Sequence, residues 1–149
     1  MSRVLGAEGA LAAALADGPD GLVIVALPPS AGPIGAMATD AFADLIAGTL
    51  TPAIAALRDA PGRAVIVCPA CAGLPDHRDG ARSVVAAGLA MLGEVAPANV
   101  VAVADDVPVD DIAAAVRFAL STPSLVGAMI RLDGGRDAAL AVETRSEGD

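Results

Sequence analysis

An α/β fold, with helices on both faces of a parallel sheet, is predicted for this 149-residue chain by three observations. Four short runs of strand character, at 22–26, 64–68, 100–104 and 128–132, alternate with Ala-rich segments of helical length. The first three runs are apolar throughout and show no alternation, which is the pattern of strands buried on both faces. The alternation continues along the chain with no linker, repeat or low-complexity tract to divide it.

The elements follow in order. A helix is expected over 8–16, then the strand 22–26, then a long helix over 40–59 with Asp40 as N-cap and Pro61 as its stop. The strand 64–68 leads to a helix over 82–96 ended by Pro97, and the strand 100–104 to a helix over 110–121, capped by Asp110 and stopped by Pro123. The strand 128–132 closes on the turn Asp133-Gly134-Gly135. Nothing ahead of Gly6 reads as long enough for a strand. The expectation is about four parallel strands in a single domain, 1–142, with a flexible C-terminal tail at 143–149.

Composition narrows the function classes. A formal net charge of −9 argues against a nucleic-acid or anionic-membrane partner, since either would require a basic patch. Every basic residue is Arg or the lone His77, so chemistry that needs an amine side chain or a phenol has no residue here to perform it. The longest apolar stretch, 22–37, is interrupted by Pro28, Pro29 and Pro33 and is too short to span a bilayer. No leader is visible before Glu8, and two cysteines three positions apart do not make a secreted disulfide framework. A soluble, cytoplasmic domain is expected.

Two helices carry more apolar surface than a sheet face requires. In 40–59, Asp40, Asp44, Thr51 and Arg58 fall on one narrow stripe, while Phe42, Leu45, Ile46, Leu50, Ile54 and Leu57 occupy the rest. Packing on one face needs a stripe a little over ~100° wide. The 82–96 helix repeats this with Val84, Val85, Leu89, Met91, Leu92 and Val95, and its only charges are Arg82 and Glu94. Ala alone would be explained by helix propensity. The surplus of large side chains predicts instead that both outer faces are buried in a subunit interface.

The order of motifs resembles the C-terminal two-thirds of a short-chain dehydrogenase/reductase. Asp20-Gly21-Leu22-Val23-Ile24-Val25-Ala26 resembles that family's D-x-L-V-x-N-A strand, and 42–57 its long following helix. Gly62-Arg63-Ala64-Val65-Ile66-Val67 resembles its G-x-I-V-x-I-S-S strand. Residues 110–121 resemble the helix p-e-d-I-A-x-a-V-x-F-L-a-S, and 127–135 the closing G-x-x-i-x-v-D-G-G. The resemblance implies an incomplete Rossmann-like sheet in that family's strand order, without the first βαβ nucleotide-binding unit. The 22–26 strand would then lie at an uncovered apolar sheet edge.

The resemblance also implies lost chemistry. The family's Asn-Asn-Ala-Gly turn is here Ala26-Leu27-Pro28-Pro29, and its catalytic Asn falls on Thr49 and its Ser on Ala70. The Tyr position falls on Ser83, or on His77 in a shifted register, and the Lys on Ala87 or Ala81. A Ser hydroxyl cannot replace the phenol without a partner base. No catalytic residue, cofactor or metal is therefore assigned.

Relocated chemistry would have to use His77, Cys68, Cys71 or the pair Asp105-Asp106. Cys68-Pro69-Ala70-Cys71 reads first as two small apolar residues beside a sheet edge. A thiol–disulfide site or a metal site recruiting His77 with Asp76 or Asp79 are the alternatives. His77 and Asp105-Asp106 read as solvated loop residues.

The expected function is a non-catalytic structural or regulatory subunit. It would oligomerise through its two long helices and last strand, with itself or with a full-length, active NAD(P)-dependent short-chain dehydrogenase/reductase. A small-molecule binding protein and an enzyme with relocated chemistry are the alternatives.

Overall fold

The computed structural model describes residues 1–60, 63–72 and 77–135. One parallel sheet contains β1 (Ser2–Leu5), β2 (Gly21–Val25), β3 (Ala64–Pro69), β4 (Ala98–Val103) and β5 (Met129–Leu132), ordered in space as in the chain. The connections carry α1 (Gly9–Ala16), α2 (Thr39–Arg58), α3 (Gly80–Val95) and α4 (Val109–Ser121). Short 3₁₀ turns lie at Ile34–Ala36, Ala70–Ala72 and His77–Asp79. The 143–149 tail, the Pro61 helix stop and Asp76 lie outside the described residues.

The pleat sends alternate strand residues to opposite faces. Leu22, Ile24, Ala64, Ile66, Cys68, Val100 and Ala102 meet α2 and α3, whereas Val23, Val25, Val65, Val67, Val101 and Val103 meet α1 and α4. This two-sided burial is why the central runs are apolar without alternation. Each Val or Ile so removed from water contributes roughly 1.5–3 kcal/mol.

The placement of the helices fixes a chirality. All strands are parallel and step in one direction across the sheet, yet α1 and α4 cover one face and α2 and α3 the other. A crossover passing in front and one passing behind have opposite hands. Two of the four are therefore left-handed, against the near-universal right-handed preference.

Strand β1 was not expected. Its pairings run from Ser2 opposite Gly21 to Leu5 opposite Ile24, so β2 is not a sheet edge and the edges are β1 and β5. The strand is short and its exposed Arg3 breaks the apolar run, which is how a half-covered edge strand hides in a sequence. Val4 packs toward α1 and Leu5 toward α2. In the doubly wound order 3-2-1-4-5-6 the first strand lies beside the fourth. Here β1 lies beside β2, the strand that follows it in the chain, and α1 connects them directly.

The helix starts also differ from expectation. Ala38 and Pro108 occupy the N-cap positions of α2 and α4, while Asp40, Asp110 and Asp111 lie in the first turns, where a carboxylate meets the positive end of the helix. Pro52 lies within α2, which continues through it. A buried Asn99 shapes the other end of the sheet: its Nδ2 donates to Leu125 O at 2.7 Å and its Oδ1 accepts from Ala128 N at 3.0 Å. That pair of bonds fixes the loop that delivers β5.

Gly6 makes the turn out of β1 with φ +78°, and a Cβ there would lie 2.1 Å from the Val25 carbonyl oxygen. Both the left-handed backbone and the backbone clash oppose any side chain. Gly6→Ala is expected to cost about 3 kcal/mol, read as a lowered urea midpoint. An unchanged midpoint would show that β1 does not dock as described.

Candidate functional site

The C-terminal ends of the strands are where open α/β sheets place their ligands, and here they gather most of the chemically interesting side chains. β3 ends at Pro69 and passes through the Ala70–Ala72 turn, so Cys68 points into the α2/α3 side of the core while Cys71 lies half-buried above it. The first turns of α3 bring Arg82 and the buried Ser83 to the same place. The Ser83 hydroxyl lies within hydrogen-bonding reach of the Cys71 sulfur.

Arg82 reaches across to the end of β4. Its Nη2 donates to Asp105 Oδ1 at 2.7 Å and its Nη1 to Asp105 Oδ2 at 3.4 Å. This side-by-side contact and the Asp105 charge hold the guanidinium in its protonated form even more firmly than usual. Asp79, just before α3, accepts from Ala31 N at 2.9 Å and Gly32 N at 3.1 Å. Those bonds pin the Pro-rich segment after β2 to the start of α3.

Among the described residues, three cavities open along this edge, the largest, of about 800 Å³, between the residues after β4 and the end of β5. Another, of about 320 Å³, lies on the α2 side, between the ends of β1 and β2, and includes Gly6, Pro28 and Thr49. The third, of about 380 Å³, lies between the segment after β2 and the end of β4, with Arg82 and Asp105 in its wall.

The thiols are poor nucleophiles in this setting. Burial pushes Cys68 up to about 12, and the nearby Cys71 adds to the rise. Burial also raises Cys71, although the Ser83 hydrogen bond and the Arg82 charge oppose it. Both therefore remain thiols at neutral pH, and a thiol–disulfide role lacks the thiolate it requires. His77 is exposed on its 3₁₀ turn. Among the described residues, no three His, Cys, Asp or Glu side chains are grouped to hold a metal.

The other singled-out residues are dispersed. Thr49 is half-buried on α2, Ala70 opens the turn after β3, Ala81 is buried on α3 and Ala87 is half-buried further along it. Asp105 and Asp106 are exposed after β4. The Arg82–Asp105 pair was not foreseen. Its sequence signal is that Arg82 and Glu94 are the only charges of an otherwise apolar helix.

No family model and no curated protein matches the sequence. Solved structures do match the fold. The MalC reductase/Diels-Alderase from Malbranchea aurantiaca superposes with a TM-score of 0.67 at 12% identity, over 82% of this chain and 63% of that one. A small-chain dehydrogenase gives 0.67 at 17% identity, over 84% and 74% of the two chains. A short-chain dehydrogenase from Mycobacterium smegmatis gives 0.61 at 18% identity, over 74% and 57%. The fold is that of the short-chain dehydrogenases/reductases.

The chain spans less than two thirds of the MalC and mycobacterial structures. Within a short-chain dehydrogenase/reductase fold, the positions that the motif resemblance assigned to the relay hold Thr49, Ala70, Ser83 or His77, and Ala87 or Ala81, and Ser83 lies beside the Cys71 thiol.

The absence of Lys and Tyr makes the thiols the side chains that titrate between pH 9 and 11. Cys68 is raised from 9.0 to about 12, so in that window the unfolded chain has lost a proton that the folded chain keeps. Stability is therefore expected to hold below pH 8.5 and then fall by up to about 1.4 kcal/mol per pH unit per thiol as pH rises toward 12. Denaturant titrations of wild type and Cys68→Ala measure this. A slope undiminished in the variant would place the titration elsewhere.

Proposed function

We propose that this chain is a non-catalytic structural or regulatory subunit with a short-chain dehydrogenase/reductase fold, acting in the cytoplasm and assembling through the outer faces of α2 and α3. The observation that carries the reading is how little of α2 its own protomer covers. Of its twenty residues only Ala53 and Ala56 are buried; Leu45, Ile46, Leu50 and Leu57 pack in part against the protomer's own core, while Phe42 and Ile54 are half-exposed outside it. By length and composition alone α2 would also suit a membrane span, but here it is one layer of the α/β sandwich. Leu50 seats against Gly88 of α3, where a Cβ would lie 3.1 Å from its methyl group. On α3, Val84 and Met91 lie seven positions apart on one exposed stripe, Met91 with 63% of its surface in water.

Exposed apolar side chains on two adjacent helices, Phe42 and Ile54 on α2 and Val84 and Met91 on α3, suit an interface core better than a solvated surface. A second copy of the chain is the partner preferred here, since a two-fold axis lets identical α2–α3 pairs cover one another. A full-length short-chain dehydrogenase/reductase would present a related face and is the heteromeric form of the same reading.

Two further features support a role without turnover. The chain contains no Lys or Tyr to form a proton relay of the family type. The rim that would receive a dinucleotide carries Asp79, Asp105, Asp106, Asp110 and Asp111, and Glu8 occupies the N-cap of α1, so anionic phosphates would approach a negative field.

Light scattering on the purified chain is expected to give a dimer at micromolar concentration. Phe42→Glu, Ile54→Glu and Met91→Glu should each weaken it at least about tenfold with the circular dichroism spectrum unchanged. A monomer in wild type, with no second chain co-purifying from the native host, would overturn the reading. Saturable micromolar NADH binding would overturn its cofactor-free part.

A further inference from the structure

We propose that the cavity between the segment after β2 and the end of β4 binds a small monocarboxylate with a short apolar tail. Its carboxylate would take the place of Asp105 on Arg82.

The site has the size and composition of a small-ligand pocket: about 380 Å³, walled by Leu27, Pro28, Val103, Val107 and Ile112, with Arg82 as its cation. Arg82 is not a surface charge, since only 14% of its side chain is exposed. A guanidinium so far removed from water requires a counter-anion. Asp105 supplies one through the two terminal nitrogens, but one of those bonds is long, at 3.4 Å. Among the described residues, Arg82 Nε is the buried side-chain polar atom left without a hydrogen-bond partner. The fork is therefore incompletely used, and a carboxylate in the place of Asp105 would bond both terminal nitrogens at normal length, where Asp105 bonds one of them at 3.4 Å.

The exchange is also electrostatically neutral. Asp105 is 78% exposed, so its carboxylate can return to water at little desolvation cost while the incoming anion takes the buried position. One negative charge replaces another beside Arg82. A phosphate dianion would add charge to a rim that already carries Asp79 and Asp106, which selects a monoanion. The apolar walls select a short hydrocarbon tail in place of a polar one, and the Asp79 bonds to Ala31 and Gly32 hold the segment that forms one of those walls.

Sodium hexanoate is the probe, with hexanamide as its neutral counterpart of the same shape and inorganic phosphate as the polyanion. Thermal shift and calorimetry on the intact chain, in whichever assembly it elutes, are expected to show saturable binding of hexanoate and none of hexanamide or phosphate. Arg82→Gln should abolish binding, and Arg82→Lys, which keeps the charge but loses the planar fork, should weaken it about tenfold. Asp105→Asn removes the competing carboxylate and should tighten binding about tenfold. Equal shifts from hexanoate and hexanamide, no shift from either, or an Asp105→Asn variant that binds no more tightly would overturn the proposal.

Discussion

The two-sided burial of the central strand β3 is the constraint on which the other elements depend. Val65, Ile66, Val67 and Cys68 are wholly removed from water, alternately toward one helical layer and the other. A strand in that position satisfies its backbone only through β2 and β4, and its side chains only if both faces are covered. The helices are therefore divided between the faces. That division, with strands laid down in chain order, imposes the mixed handedness of the crossovers.

The same architecture concentrates polarity at one edge. Parallel strands end together, so the residues that leave them, Cys71, Arg82 and Asp105 among them, meet above the apolar central strands of the sheet. The backdrop has low polarizability, so each charge there needs a partner close by. Arg82 finds Asp105, Cys71 stays protonated beside Ser83, and Asp79 is bonded to two backbone amides. The edge is a set of local neutralisations. The outer faces of α2 and α3 differ from it, with Ala and half-exposed large apolar side chains between a few scattered charges.

The layer architecture was legible in the sequence because its signal is redundant. The unbroken runs at Val23–Val25, Val65–Val67 and Val101–Val103 admit little else, and the intervening Ala-rich lengths fit only helices. β1 was hidden because four residues at a sheet edge bury too little for a pattern, and its evidence is a contact between Gly6 and Val25 that no local window contains. The helix starts were misassigned at Asp40 and Asp110 because an acid one or two positions inside a helix serves the dipole as well as one at the cap. In the candidate site the Cys68–Cys71 pair drew attention that its burial does not reward. Arg82 passed unnoticed because its partner is 23 positions away and joins it only when α3 and β4 are packed.

The chain-order sheet has a consequence for how the molecule comes into being. In a doubly wound sheet that starts from its middle strand, growth must proceed in two directions and some neighbours wait for late sequence. Here every strand is templated by the one synthesised just before it, so loop closures stay short and no early strand is left awaiting a distant mate. Such a sheet can lengthen from its first edge to its last as the ribosome delivers it, each completed crossover shielding the apolar surface that the preceding one exposed.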